Sequence, residues 1–328
     1  MITFWISVLA LSILLYVLLD GFDLGVGILF GFTRNEDKRR AMISAIAPFW
    51  DGNETWLVVA GVVLWGAFPV VYATLFSAFY IPLVLMLAGL ILRGVAFEFR
   101  NNALHLRWVW DAAFAGGSLL ATFMQGLMIG ALVAGLPLSH GNYAGGEFGW
   151  LSTFSVLCGA GLCLGYALLG ASWLVRKCDG AVQSGAYRVI PVLSLIALAV
   201  IAGVFIFALR DHLQVLGRWL ERPYLFIFPL FGIAAGIGLI SSVRRRRELA
   251  PICLVAATFA AAFCTFAISF WPYIIPFSIT IDAAAAPHAS LAFMFWGEGL
   301  FVLPLMLIYT AISCRVFHGK VRSPSDSY

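Results

Sequence analysis

The chain has 328 residues, of which 62% are hydrophobic and only 11% charged, with a net charge of +4 and a mean hydropathy of +0.98. Soluble domains carry about 25% charged residues, and a water-soluble chain of this length cannot hide so much apolar surface in one core. A soluble enzyme is excluded on these grounds, and so is a nucleic-acid-binding module, because the basic residues lack interleaved aromatics.

Nine apolar stretches follow one another, with cores near 4–31, 44–68, 74–98, 112–135, 150–174, 188–209, 223–242, 250–270 and 290–313. They run about 20 residues or more and do not alternate, which selects helices over barrel strands. In lipid, backbone polar groups must be satisfied within the chain, and helices do this segment by segment. The predicted fold class is all-α: one polytopic transmembrane helix bundle of about nine spans, a single domain over 1–328. The first stretch is apolar from Ile2 with no basic leader, so it reads as a retained helix and not as a signal peptide.

Acids at membrane depth are costly, about 2.5–3.5 kcal/mol each on insertion scales, so each must face protein or water. In the first span Asp20 and Asp23 stand at i, i+3 and share a helix face. Their distance from the next basic residue, Arg34, places them roughly 16–21 Å from the loop at 1.5 Å per residue. Gly21, Gly25, Gly27 and Gly31 form two pairs at GxxxG spacing, which allow close helix approach. The second span carries Asp51 and Glu54, again at i, i+3, in the stretch Ala47-Pro48-Phe49-Trp50-Asp51-Gly52-Asn53-Glu54-Thr55-Trp56. Pro48 and Gly52 loosen the helix there, and Asn53 and Thr55 are candidate partners for the freed backbone groups. Trp50 and Trp56 lie too deep for interface anchors if the span starts near 44. Otherwise the stretch is a short interfacial helix and the span begins later. The third span ends on Arg93 and Glu98, and Arg93 is expected to pair with one of the acids. Glu298 is a late counterpart in the ninth span. These groups read equally as a polar network that locks packing and as a proton or ion path, two compatible readings, with a ligand site as the third.

The remaining candidates are negative. The six cysteines, Cys158, Cys163, Cys178, Cys253, Cys264 and Cys314, show no CxxC and read as free thiols. The histidines, His105, His140, His212, His288 and His318, fall in connectors or at span ends, where they cannot pair across a haem. Met86, Met124, Met128, Met294 and Met306 read as packing residues. Hence no metal site and no catalytic residue is expected in this chain alone.

Charge sets the orientation. One set of connectors holds Arg34, Lys38, Arg39 and Arg40, then Arg100 and Arg107, then Arg176, Lys177 and Arg188, then residues 244–247, then Arg315, Lys320 and Arg322. The other set holds only Arg210, Arg218 and Arg222. The basic side is predicted to be cytoplasmic, with the N-terminus outside (periplasmic), and its charges meet anionic lipid.

The segments Asp20-Gly21-Phe22-Asp23-Leu24-Gly25-Val26-Gly27 and Ala47 to Leu57 resemble the signature of cytochrome bd oxidase subunit II. So do Phe76-Ser77-Ala78-Phe79-Tyr80 and Leu92 to Arg100. Weaker matches are Ser278 to Ala284, Tyr309-Thr310 and Val316 to Val321. The resemblance spans the chain, is most specific in its first hundred residues, and leans toward the cyanide-insensitive branch. It implies a haem-free second subunit of a bd-type quinol oxidase in the bacterial inner (cytoplasmic) membrane. Two b-type haems, one d-type haem and the quinol site would lie in the partner, subunit I. This subunit would stabilise that partner and contribute to cytoplasmic proton uptake. It leaves room for a structural quinone and a small accessory subunit. By motif position, functional or structural sensitivity falls on Asp23, Trp50, Asp51 and Arg93. With Asp20, Glu54 and Glu98 from the depth argument, these make up the expected proton path or polar network. Two other readings compete: a proton-coupled secondary transporter, and a purely structural assembly subunit. The crowding of polar groups into spans one to three speaks against the transporter, whose halves usually match.

Overall fold

The computed structural model describes residues 1–100, 103, 105–139, 142–210, 217 and 220–321. The principal helices, in chain order, are α1 Ile2–Gly31, α2 Glu36–Ile46, α3 Trp50–Ala67, α4 Pro69–Ala78, α5 Tyr80–Phe99, α6 Arg107–Ala134, α7 Thr153–Lys177, α8 Gly180–Arg210, α9 Ile227–Arg244, α10 Ala250–Phe270, α11 Ile281–Ala284, α12 His288–Met294 and α13 Val302–Val316. Among the described residues seven stretches are long and apolar enough to cross a membrane, or eight if α3 and α4 count as one bent span. The shorter apolar α9 lies on the seventh predicted stretch but is not among them, so seven or eight such spans stand where about nine were predicted.

The outline departs from the predicted spans in three places. The second span begins at Trp50 and not near 44, because residues 36–46 form a separate amphipathic helix. Its N-cap is Asn35, whose side chain accepts from the Lys38 amide at 3.0 Å. Glu36 and Asp37 in its first turn suit the positive end of the helix dipole. The third span begins at Tyr80 and not near 74, because the short helix α4 stands between the two spans and meets α3 at 119°. Pro69 at the first position of α4 pushes Phe68 out of the helical region, to φ −134° and ψ 59°. The ninth span is interrupted by a π-helical turn, Phe295–Gly299, which carries Glu298. The two longer connectors, 136–149 and 271–289, each hold a small antiparallel hairpin: β1 Leu138–Ser139 with β2 Asn142–Tyr143, and β3 Tyr273–Ile275 with β4 Ile279–Thr280.

Helix α1 runs through the middle of the bundle, against α3, α6 and α7. Its glycines make this possible. A Cβ on Gly25 would stand 1.8 Å from the Tyr166 carbonyl oxygen of α7, and one on Gly27 would stand 2.1 Å from Ser118 Oγ of α6. Gly170 of α7 faces Gly25 in the same way.

The basic connectors gather at one end. Arg39 bonds to Asp111 and Arg100 to Glu36, and Trp173 Nε1 donates to the Ala45 carbonyl at 3.0 Å. Gln183 reaches Glu248, and Lys320 reaches both Asp179 and Glu248. At the opposite end the Ala286 amide donates to the Ala67 carbonyl at 2.9 Å. Arg218 and Arg322, like His140 and His212, lie outside the described residues.

Candidate functional site

Two buried polar clusters stand out. The first lies between α1, α3 and α5, inside the membrane-spanning part. Asp20 and Asp23 are 8–11 residues before the end of α1 at Gly31, so they sit roughly 12–17 Å from the basic end. Both are fully buried, and Arg93 is 1% exposed. One Arg93 amino group donates to Asp20 at 2.5 Å and the other to Glu54 at 2.7 Å. The guanidinium therefore joins three helices, using a fork that lysine does not possess. Asp23 takes an amide and not a cation: Asn53 Nδ2 donates to it at 2.7 Å and to the Leu19 carbonyl at 3.3 Å.

A short polar chain continues from the Asp20 face toward α6 and α7. Tyr16 stands one turn before Asp20, and its hydroxyl accepts from Gln125 Nε2 at 2.6 Å. The Tyr166 hydroxyl donates to Gln125 Oε1 at 3.1 Å. Asp20 Oδ2, Asp23 Oδ1 and Arg93 Nε are buried without a protein partner among the described residues. Asp20 and Glu54 thus share one guanidinium, and Asp23 lies beside them with an amide partner only. Leaving buried charge unpaired is costly, and Asp23 is the fully buried acid of this cluster that has no ion-pair partner among the described residues.

The cluster reaches the surface through Glu54, between α3 and α5. The Glu54 side chain is 29% exposed. Asp51, one turn before it, is exposed in the first turn of α3, and Glu98 is exposed in the last turn of α5. Neither Asp51 nor Glu98 joins the buried cluster. The depth expected for Asp51 rests on a count from Arg40 with the span beginning near 44. Helix α2 takes up those residues, so Asp51 sits near the basic end, where its charge favours the N-terminus of α3. Trp50 is half-buried and packs on Phe97 at 5.2 Å. Trp56 is fully buried and donates from Nε1 to Thr310 at 3.3 Å. The Thr55 hydroxyl donates back to the Asp51 carbonyl at 3.1 Å, whereas Asn53 serves α1. Glu298 is half-buried in the π turn, away from this cluster.

Nothing in the sequence pattern points to the second cluster. At the basic end Asp111 accepts from Arg100 Nε at 2.5 Å and from Arg39 at 2.6 Å. Glu36 accepts from Arg100 at 2.9 Å, Arg107 at 3.2 Å and Arg40 at 3.3 Å. Both Arg39 and Arg100 lie over the Phe30 ring. This clamp fixes α2 to the ends of α5 and α6. Burial raises the Glu36 carboxyl, but the Arg100 hydrogen bond and charge outweigh it and hold Glu36 below its ordinary range, with Arg40 and Arg107 adding to that. A carboxyl so depressed stabilises the fold fully above its unfolded value. That contribution is lost as pH falls through the folded value, so the clamp weakens below about pH 4.5. The protection of α2 amides, measured against their intrinsic exchange rate at each pH, should fall as the complex is acidified through this range. Glu36→Gln should flatten that dependence, and an unchanged profile in the variant would remove Glu36 from the clamp.

No group of three His, Cys, Asp or Glu side chains able to hold a metal occurs among the described residues. His105, His288 and His318 are exposed at helix ends. These three therefore do not provide a pair of haem ligands at membrane depth.

Known proteins resemble this chain along its whole length. Residues 1–317 match the family described as cytochrome bd terminal oxidase subunit II. The chain is 29% identical to the cytochrome bd-I ubiquinol oxidase subunit 2 of Escherichia coli K12, across 97% of this chain and 94% of that one. It is 32% identical to the probable cytochrome oxidase subunit 2 of Haemophilus influenzae, across 94% and 88%. Its fold resembles a chain of the bd oxidase structure from Geobacillus thermodenitrificans with a TM-score of 0.77, at 18% identity, covering 96% and 98% of the two chains.

Proposed function

Since this chain belongs to the cytochrome bd terminal oxidase subunit II family, we propose that it is the haem-free second subunit of a quinol oxidase, which holds the haem-bearing subunit and assists its proton uptake. Family membership replaces the transporter reading. The complex would reside in the bacterial inner membrane with the basic end in the cytoplasm, the side from which protons for water are drawn.

The observation that carries the protonic role is the cluster Asp20–Arg93–Glu54 with Asp23 on Asn53, opening at the surface through Glu54 between α3 and α5. Asp51 and Glu54 form a one-turn ladder leading inward from the basic end. Asp51 is the entry group, Glu54 the relay, Asp23 the buried exchanging group, and Arg93 fixes their geometry. The α3–α5 face, with its exposed carboxylates beside exposed Ile91, Leu92 and Val95, is the side offered to subunit I. Acids on such a face are tolerated when protein or water covers them.

The test is turnover per haem in the purified complex. Asp51→Asn and Asp23→Asn should each slow oxygen reduction by about tenfold or more, in line with the roughly 10²–10⁴-fold contribution of a positioned acid or base, with haem content intact. Loss of haem with unchanged turnover per remaining haem would make the cluster a packing device and sink the protonic role.

A further inference from the structure

A groove of about 320 Å³ opens at the basic end, between the C-terminus of α1, the start of α2, α7 and the start of α8. Its rim is cationic and aromatic: Arg34 and Lys38, with Phe32 beside them at 85% exposure. Its floor is apolar, formed by residues such as Met42 and Leu174, and Gly185 leaves it wide. No Asp or Glu lines it.

The ion pairing around it is selective. Arg39 and Arg40, the next two cations of α2, are each held by a carboxylate, as are Arg100 and Arg107. Arg34 and Lys38 have no ion-pair partner among the described residues, and they are the two that face the groove. Two free cations above an apolar slot, at the level where head groups lie, match a phosphate joined to acyl chains. The volume falls in the range of small-molecule sites, about 300–1,000 Å³.

We infer that this groove binds an anionic phospholipid of the cytoplasmic leaflet, with its phosphate on Arg34 and Lys38 and an acyl chain along α7 and α8 past Gly185. A neutral quinone would fill the slot but leave both cations uncompensated. The proposal is independent of any protonic role for Asp23.

Gly185 provides a clean probe, because a Cβ there meets no atom within 4 Å. A larger side chain there would extend from that open position into the groove that Gly185 lines. The purified complex, stripped of lipid, is incubated with equal amounts of dioleoyl phosphatidylglycerol and dioleoyl phosphatidylcholine, and retained lipid on this chain is counted by native mass spectrometry. Wild type should keep the phosphatidylglycerol roughly thirtyfold better, given about 1 kcal/mol for each of the two basic residues at a membrane surface. Arg34→Gln with Lys38→Gln should abolish the preference, and Gly185→Leu should abolish retention, both with unchanged haem content. Equal retention of the two lipids by wild type, a preference that survives the double substitution, or full retention in Gly185→Leu would each overturn the proposal.

Discussion

Replacing Arg93 with methionine is expected to abolish accumulation of the folded complex. The substitution leaves Asp20, Asp23 and Glu54 in a site where Asp20 and Asp23 are fully buried. Removing one partner of a buried ion pair typically costs about 3–5 kcal/mol, because the remaining charge has neither water nor a counter-ion. That is a large fraction of the roughly 5–15 kcal/mol by which a domain is stable. The cause is charge and not lost packing, so a compensating change should restore the protein. Arg93→Met combined with Asp20→Asn and Glu54→Gln removes the orphaned charges. It should return much of the haem-containing complex to the membrane fraction, with turnover still impaired. Arg93→Lys should fall between, since one ammonium cannot fork to two carboxylates on different helices. If the triple variant is as depleted as Arg93→Met, the loss is one of shape and not of electrostatics.

Substituting Gly25 should be nearly as damaging for a different reason. The atom met at 1.8 Å is the Tyr166 backbone oxygen, with the Gly170 amide at 3.0 Å. A backbone cannot rotate aside as a side chain can. Helices α1 and α7 would have to separate, and the separation would spread to the cluster that α1 carries. Overpacking costs about 1–3 kcal/mol where side chains can yield, and this contact should lie at or above the upper end. Gly25→Ala should lower the thermal midpoint of the complex markedly, and Gly25→Leu should prevent assembly. Gly61→Ala is the matched control, because nothing lies within 4 Å of its Cβ direction. Equal behaviour of Gly25→Ala and Gly61→Ala would mean that α1 and α7 do not pack as described.

The sequence reveals the polar groups of the first three spans because lipid makes them expensive, and Asp20, Asp23, Glu54 and Arg93 do meet in one cluster. The partners of Arg93 are not readable from it, since they depend on helix rotation and on where α3 starts. Asp51 shows the difficulty: residue counting puts it at depth, while helix α2 leaves it in the first turn of α3. Tyr16 carries a faint signal in its i, i+4 spacing to Asp20, and Gln125 in being a polar residue deep in a span. The clamp of Glu36 and Asp111 carries none, because its bonds join residues 64 to 72 positions apart except for Arg100 with Asp111 and Arg40 with Glu36. Connector charge groups the ends correctly because repeated crossing returns every second connector to the same side. The α3–α4 bend is signalled by Pro69, which fixes a break but not its 119° angle.

The most direct test of the central claim is the reduced-minus-oxidised absorption spectrum of this chain purified alone, and again with its native membrane partner. A colourless chain, and b- and d-type haem bands in the complex, are the predicted result. Haem bands in the isolated chain would contradict it and would require an axial ligand that the placement of His105, His288 and His318 does not supply.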